Sequence, residues 1–161
     1  FEMGAKGINA VINPLQLFLE QKGDPIVGTC IGKLIYSQRE ILCEIQALII
    51  ENNNNMAKKI AQGLDQNRIN MLIAIIEKYL NIKLGSYDIY INVTGPNLKL
   101  EKQLDLPVIA AIVSCYRNKP LKKGLIVAGE LGLGGSIKNC SYGPQNHIAE
   151  LEREVFSITE C

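Results

Sequence analysis

The sequence predicts an α/β (α+β) fold, a mixed sheet packed with helices. Three observations lead there. Short β-rich runs are interspersed with helical runs along the chain, and such mixing sets helices against a sheet. Two helical runs are apolar almost all round, around Met71 to Ile76 and Leu106 to Tyr116, so each needs cover on both sides. The 161 residues are 47% hydrophobic and 20% charged, the balance of a globular chain able to bury a core without staples.

The elements follow in order. "INPLQLFLEQKGDP" offers Asn13 as N-cap, Pro14 at the first helical position and Gly23 at the end, a short helix. Ile31 to Tyr36 and Ile41 to Ile50 read as two strands joined by the polar turn Ser37-Gln38-Arg39-Glu40. In the second strand, Leu42, Glu44, Gln46 and Leu48 alternate with Ile41, Cys43, Ile45 and Ala47, so one face is more polar. "ENNNN", Glu51 to Asn55, is a low-complexity polar loop. "MAKKIAQGLDQ" is irregular or a short strand. A helix runs roughly from Asn67 to Asn81, with Gly85 closing the segment.

"YDIYINVTG" is a strand. "KLEKQLDLPVIAAIVSCYRNKP" is the second buried helix, with Asp105 as N-cap and Pro107 in the first turn, where no N–H is needed. "KGLIVAGEL" is a short apolar strand. "GLGGSIKN" is a tight turn into a strand carrying Ile137, and "HIAELEREVF" is an amphipathic helix with Ile148, Leu151 and Val155 on one stripe.

Composition excludes several functions. Net charge is +1, so there is no global basic field and any nucleic-acid contact must come from a local patch. No apolar run reaches the ~18 residues that span a bilayer, and no signal-peptide pattern opens the chain. The five cysteines lack a CxxC and are odd in number, which fits buried thiols in a reducing cytoplasm. The opening "FEMGAKG" and the end at Cys161 are expected to be cut edges of a longer protein.

Candidate chemistry is sparse. His147 lacks the second histidine of a zinc-protease motif, and the cysteines do not cluster, so no metal is expected. "GELGLGG" lies between strands with no Lys-Ser/Thr after it, which reads as a hairpin rather than a phosphate loop. Basic residues gather in two places: Lys58 and Lys59 before Arg68, and Arg117, Lys119, Lys122 and Lys123 after the second buried helix. These can meet phosphates, or serve as solvated cations favoured at a helix C-terminus. No aromatic platform accompanies them in sequence. Arg68 has a structural alternative, pairing with Asp65 or capping the preceding loop.

"EIQALI", "AKKIAQGLDQNRINMLIAIIEK", "DIYINVTG", "RNKPL" and "GELGLGGSIK" occur in the order and spacing of one domain. Together they resemble the C-terminal Lon-protease-like domain of the RadA/Sms family of DNA repair and recombination ATPases. The resemblance covers Phe1 to about Lys138. It implies a Lon proteolytic-domain-like fold, related to ribosomal S5 domain 2, over residues 25–161. Residues 1–24 would be the junction from an upstream ATPase core. It also implies a hexameric motor for branch migration that acts on single-stranded or branched DNA. ATP, Mg and Zn sites would lie upstream of Phe1, with no cofactor in this chain.

In the Lon relatives a Ser–Lys dyad cuts peptides. Alignment to the resemblance puts Gln103 at the serine position, and an amide is no nucleophile. The lysine would fall near Gly143 or Pro144. No peptidase activity is therefore expected, and the DNA-contact candidates are Lys58, Lys59, Arg68, Arg117 and Lys119. Two alternatives stand beside this reading: a displaced peptidase dyad, Ser136 or Ser141 with Lys138, and a purely structural oligomerisation module. The chain departs from the family pattern in "EKQLDLPV", in the insertion "NCSYGPQN" at Asn139 to Asn146, and in "FSITEC", which supplies no further strand.

Overall fold

A computed structural model of the chain describes residues 26–53, 56–94, 102–122 and 125–138. The expected helices at "INPLQLFLEQKGDP" and "HIAELEREVF", the 1–24 junction and the 139–146 insertion lie outside the described residues. Among the described residues seven strands and two helices follow one another: β1 Thr29–Tyr36, β2 Arg39–Glu51, β3 Lys59–Gln62, α1 Gln66–Tyr79, β4 Tyr87–Thr94, α2 Asp105–Arg117, β5 Ile126–Val127, β6 Glu130–Leu131 and β7 Ile137–Lys138. A 3₁₀ turn, Lys102–Leu104, leads into α2.

The main sheet has the order β3-β4-β2-β1-β5. β2 runs antiparallel to β1 and β4, while β3–β4 and β1–β5 are parallel pairs. So β2 alone opposes the other four, which makes the sheet mixed, as the sequence predicts. α1 is the crossover between parallel neighbours β3 and β4, the βαβ connection that such a pair requires. β6 and β7 form a separate hairpin.

Alternation sorts the strands. Cys30 and Leu34 of β1, Cys43, Ile45 and Ala47 of β2, and Ile89 and Ile91 of β4 are buried on one face, against the helices. The other face exposes Ile35, Gln46, Leu48, Ile50, Ile60, Gln62 and Asn92. A shallow groove of about 330 Å³ crosses it, lined by Leu48, Ile60 and Tyr90 with the amides Gln46, Gln62 and Asn92.

The β1–β2 turn is tighter than the four residues expected. Ser37 and Gln38 form it alone, both left-handed (φ 51° and 63°), and Arg39 and Glu40 already pair with Tyr36 and Ile35. A two-residue turn of this hand matches the twist of the strands it joins. "MAKKIAQGLDQ" contains a strand, β3. The start of the run "ENNNN" is not all loop: Glu51 ends β2, and the Asn52 amide donates to both Asp88 oxygens at 3.0 and 3.1 Å.

α2 is covered on every side. Asp105 to Ser114 are all buried, between the sheet, α1 and the β6 region. Its start rests on Gly32, where a Cβ would come within 2.9–3.1 Å of Ile45, Leu104 and Pro107. α1 corrects the expectation of cover on both sides. Ile69, Leu72, Ile73, Ile75 and Ile76 are buried, but Asn67, Asn70, Ala74, Glu77 and Lys78 form an exposed stripe. Ala74 is small and apolar, so the sequence run looked continuous where the helix is amphipathic.

Candidate functional site: a cation and tyrosine end opposite a buried ion pair

The N-terminus of α2 overturns one expectation. Asp105 is the first helical residue and caps nothing: the N-cap is Leu104, with no side-chain cap bond. Instead the Asp105 carboxylate, 2% exposed, is gripped by Arg68 of α1. Arg68 Nε donates to Asp105 Oδ1 at 3.0 Å and Nη2 donates to Oδ2. Nη2 also donates to the Leu131 carbonyl at 2.7 Å, and the Leu131 N–H donates to Asp105 Oδ2 at 3.0 Å. The backbone of Leu131 is thus held from both sides, and one ion pair ties α1, α2 and the β6–β7 hairpin together. Burial pushes the Asp105 carboxyl up, while the Arg68 hydrogen bond and the Leu131 N–H pull it down. The Asp105 hydrogen bond raises the Arg68 guanidinium.

Arg68 has its structural role, with a different partner from the one expected. Its backbone N–H, not its guanidinium, meets Asp65, which caps α1 at 3.1 Å. Gln103 is equally occupied. Its Oε1 accepts from the Ile35 N–H at 3.1 Å and its Nε2 lies 3.5 Å from the Ile35 carbonyl. β5 pairs with β1 at Ile31 and Gly32, so at Ile35 the glutamine amide takes the place of a neighbouring strand. Gln66 does the same at the opposite edge. Its Oε1 accepts from Ala61 N–H at 3.1 Å and its Nε2 donates to Lys59 O at 2.6 Å. Two glutamines, one just before each helix or at its start, close the two sheet edges.

The other four basic candidates lie on two segments that the fold sets at the far end of α2. That end lies about 18 Å from Asp105, at 1.5 Å per helical residue. Tyr116 packs edge-to-face on Tyr87, centroids 5.8 Å apart and planes at 71°. Arg117 follows Tyr116 directly. Asn118 then turns left-handed (φ 55°), and the Lys119 N–H donates to Ser114 O at 3.1 Å. On the strand side, Lys59 Nζ donates to the carbonyls of Leu84 (3.2 Å) and Tyr87 (2.5 Å). Lys58 lies beside Asp88, whose Oδ1 accepts the Lys58 backbone N–H at 2.7 Å. That bond, with the Asn52 amide, holds the Asp88 carboxyl below its ordinary value, so one negative charge sits among the cations. The register of β3 on β4 and the tyrosine pair therefore bring Lys58, Lys59, Arg117 and Lys119 to one end, and leave Arg68 at the other.

Sequence reasoning missed the tyrosines. Tyr116 adjoins Arg117 in the chain, but Tyr87 is 29 residues away and reaches it only because β4 starts beneath the end of α2. Reasoning also missed Ser114, buried at 3% exposure. Its Oγ accepts from the Gly28 N–H at 3.0 Å and donates to the Lys119 carbonyl at 2.6 Å, which fixes the chain after α2. Ser136 and Lys138 stand two residues apart at β7, both exposed, and Ser141, Gly143 and Pro144 lie outside the described residues. Cys30 and Cys43 are buried, and burial pushes both thiols up, away from the reactive thiolate. Among the described residues no three His, Cys, Asp or Glu gather as metal ligands, and no helix is long and apolar enough to cross a membrane.

Fold and site define a mixed-sheet α/β domain, closed at its edges, with cations and tyrosines at one end. No protein-family model matches the chain. DNA repair protein RadA of Campylobacter jejuni is 38% identical over 138 residues, 86% of this chain and 30% of that protein. RadA of Rickettsia bellii is 36% identical over 139 residues, 86% of this chain and 31% of its own length. RadA of Pseudomonas aeruginosa is 34% identical over 156 residues, 97% and 34%. These relatives support the RadA family for this chain, which spans about a third of the length of the proteins it matches.

Proposed function

We propose that this chain is the Lon-protease-like C-terminal domain of a RadA-type DNA repair and recombination ATPase. In that role it is a non-catalytic scaffold that contacts DNA phosphates. The observation that carries the reading is the Tyr87–Tyr116 contact, which sets the Lys58–Lys59 segment and the Arg117–Lys119 segment at one end of the domain, in a chain whose relatives are named for DNA repair. Lys58, Lys59, Arg117 and Lys119 are the phosphate contacts. Lys59 also donates to the carbonyls of Leu84 and Tyr87, which fixes its position at the start of β4. Arg68, committed to Asp105, supports the domain from the opposite end.

The non-catalytic part of the reading rests on Gln103, which occupies the position of the Lon nucleophile and spends its amide on the edge of β1. ATP hydrolysis, with its Mg and Zn, and branch migration on single-stranded or branched DNA belong to the whole bacterial, cytoplasmic protein. The family resemblance implies a hexameric ring, and self-association as such has support in the fold. The sheet face opposite the helices exposes Leu48 (53%), Ile50 (48%) and Ile60 (43%) in one area, a surface suited to a second copy of the chain.

The test is DNA affinity against salt for the ring-forming protein and for Arg117→Ala with Lys119→Ala, with assembly followed in parallel by sedimentation. Each lost phosphate contact should lower the salt slope by about 0.7 on single strands and about 0.9 on duplex. Unchanged affinity and slope in an intact ring would overturn the phosphate assignment.

A further inference from the structure

Tyr116 is 38% exposed although it belongs to a helix whose residues from Asp105 to Ser114 are all buried. Its ring is held at an angle, not left to rotate: Tyr87 meets it edge-to-face at 5.8 Å and 71°. Tyr87 is itself fixed by its backbone, which donates to Leu84 O at 3.1 Å and accepts Lys59 Nζ at 2.5 Å. A braced, partly exposed aromatic ring has lost most of its freedom before any ligand arrives, so stacking on it incurs little ordering entropy. Lys59 reaches the Tyr87 carbonyl and Arg117 follows Tyr116 in the chain, with Lys58 and Lys119 close by in sequence at the same end, a setting for a polyanion.

We propose that Tyr116, braced by Tyr87, is a stacking platform for an unpaired nucleobase, so that this end of the domain takes single-stranded nucleic acid in preference to duplex. The proposal rests on the phosphate-contact reading above and deepens it. In a duplex both faces of every internal base are already stacked, and a side chain on a rigid helix cannot reach between them without unstacking a step. An unpaired base offers its face at once, while the flanking phosphates meet the cations on either side. Stacking of this kind accepts any base, because each has a π-face.

The experiment compares an oligothymidylate with an abasic oligomer of the same length and charge, with duplex as a third ligand. The wild-type chain should bind the oligothymidylate about tenfold more tightly than the abasic strand, the gain expected from one stacked base. Tyr116→Ala should erase that ratio while leaving abasic affinity unchanged, and Tyr116→Phe should keep it. The chain has no tryptophan, so Tyr116→Trp supplies a single reporter whose fluorescence should be quenched by the oligothymidylate and not by the abasic strand. Equal wild-type affinity for based and abasic strands would overturn the stacking proposal and leave the phosphate reading standing. Equal loss on both strands in Tyr116→Ala would also overturn it. Binding of none of the three ligands would overturn both readings.

Discussion

Removing Arg68 should do more damage than its surface position in the sequence implies, and the damage should depend on pH. In Arg68→Met the Asp105 carboxylate, 2% exposed, keeps only the Leu131 N–H as a partner. Breaking a buried ion pair from one side typically costs about 3–5 kcal/mol. The Arg68 side chain is 21% exposed, so water can soften the loss, and the lower end, about 3 kcal/mol, is expected here. The sign of the pH effect follows from the carboxyl. Burial already raises it, and loss of the guanidinium removes its largest opposing influence. A carboxyl raised in the folded state binds its proton more tightly folded than unfolded. Its contribution is therefore fully present below the unfolded value of about 3.9 and lost as pH rises through the folded value. The deficit of Arg68→Met should shrink between about pH 8 and about pH 4.5 as Asp105 takes up a proton. Urea denaturation followed by circular dichroism at both pH values measures this. The double variant Arg68→Met with Asp105→Leu should recover part of the loss at the higher pH, because no charge is then buried alone. A deficit under about 1 kcal/mol, or one equal at both pH values, would refute the ion-pair reasoning.

Two further outcomes test the parts of the fold that the site depends on. Gln66→Ala and Gln103→Ala should each lower stability by about 1–2 kcal/mol, through hydrogen bonds lost at a sheet edge. Hydrogen exchange should then quicken at Ala61 N–H in the first and Ile35 N–H in the second, with the other edge unaffected. Ser114→Ala should cost about 1–3 kcal/mol by leaving the buried Gly28 N–H unpaired, and should weaken phosphate contact by releasing the chain at Lys119, read as a lower melting temperature with a reduced salt slope.

Much of the architecture was legible in residue order. The alternation in β2 announced its buried face, because side-chain period and pleat period are the same. The uncharged run after Asp105 announced a helix with no solvent face. Where reading failed, it failed for lack of distance information. Asp105 has the type and position of an N-cap, and only the approach of α1 and Leu131 makes it an ion-pair partner. Ala74 reads as apolar, and only packing shows that it faces water. Gln103 and Gln66 are ordinary polar residues in sequence, and become edge strands in miniature because β1 and β3 end up beside them.

By itself the sequence determined the mixed α/β class, the two main helices, the hairpin at Gly132 to Gly135 and the ordered motifs that resemble the RadA family. Those are local properties: periodicity, turn chemistry and spacing survive in one dimension. The tertiary structure alone decided which basic segments lie at the same end of the domain. Lys58 and Arg117 are 59 positions apart, and Arg68 is closer to Lys58 in the chain than Arg117 is. The parallel register of β3 on β4 and the tyrosine contact set the two distant segments at one end, while the buried carboxylate of Asp105 holds Arg68 at the other. A charge cluster is a statement about through-space separation, and separation is set by how the sheet orders its strands.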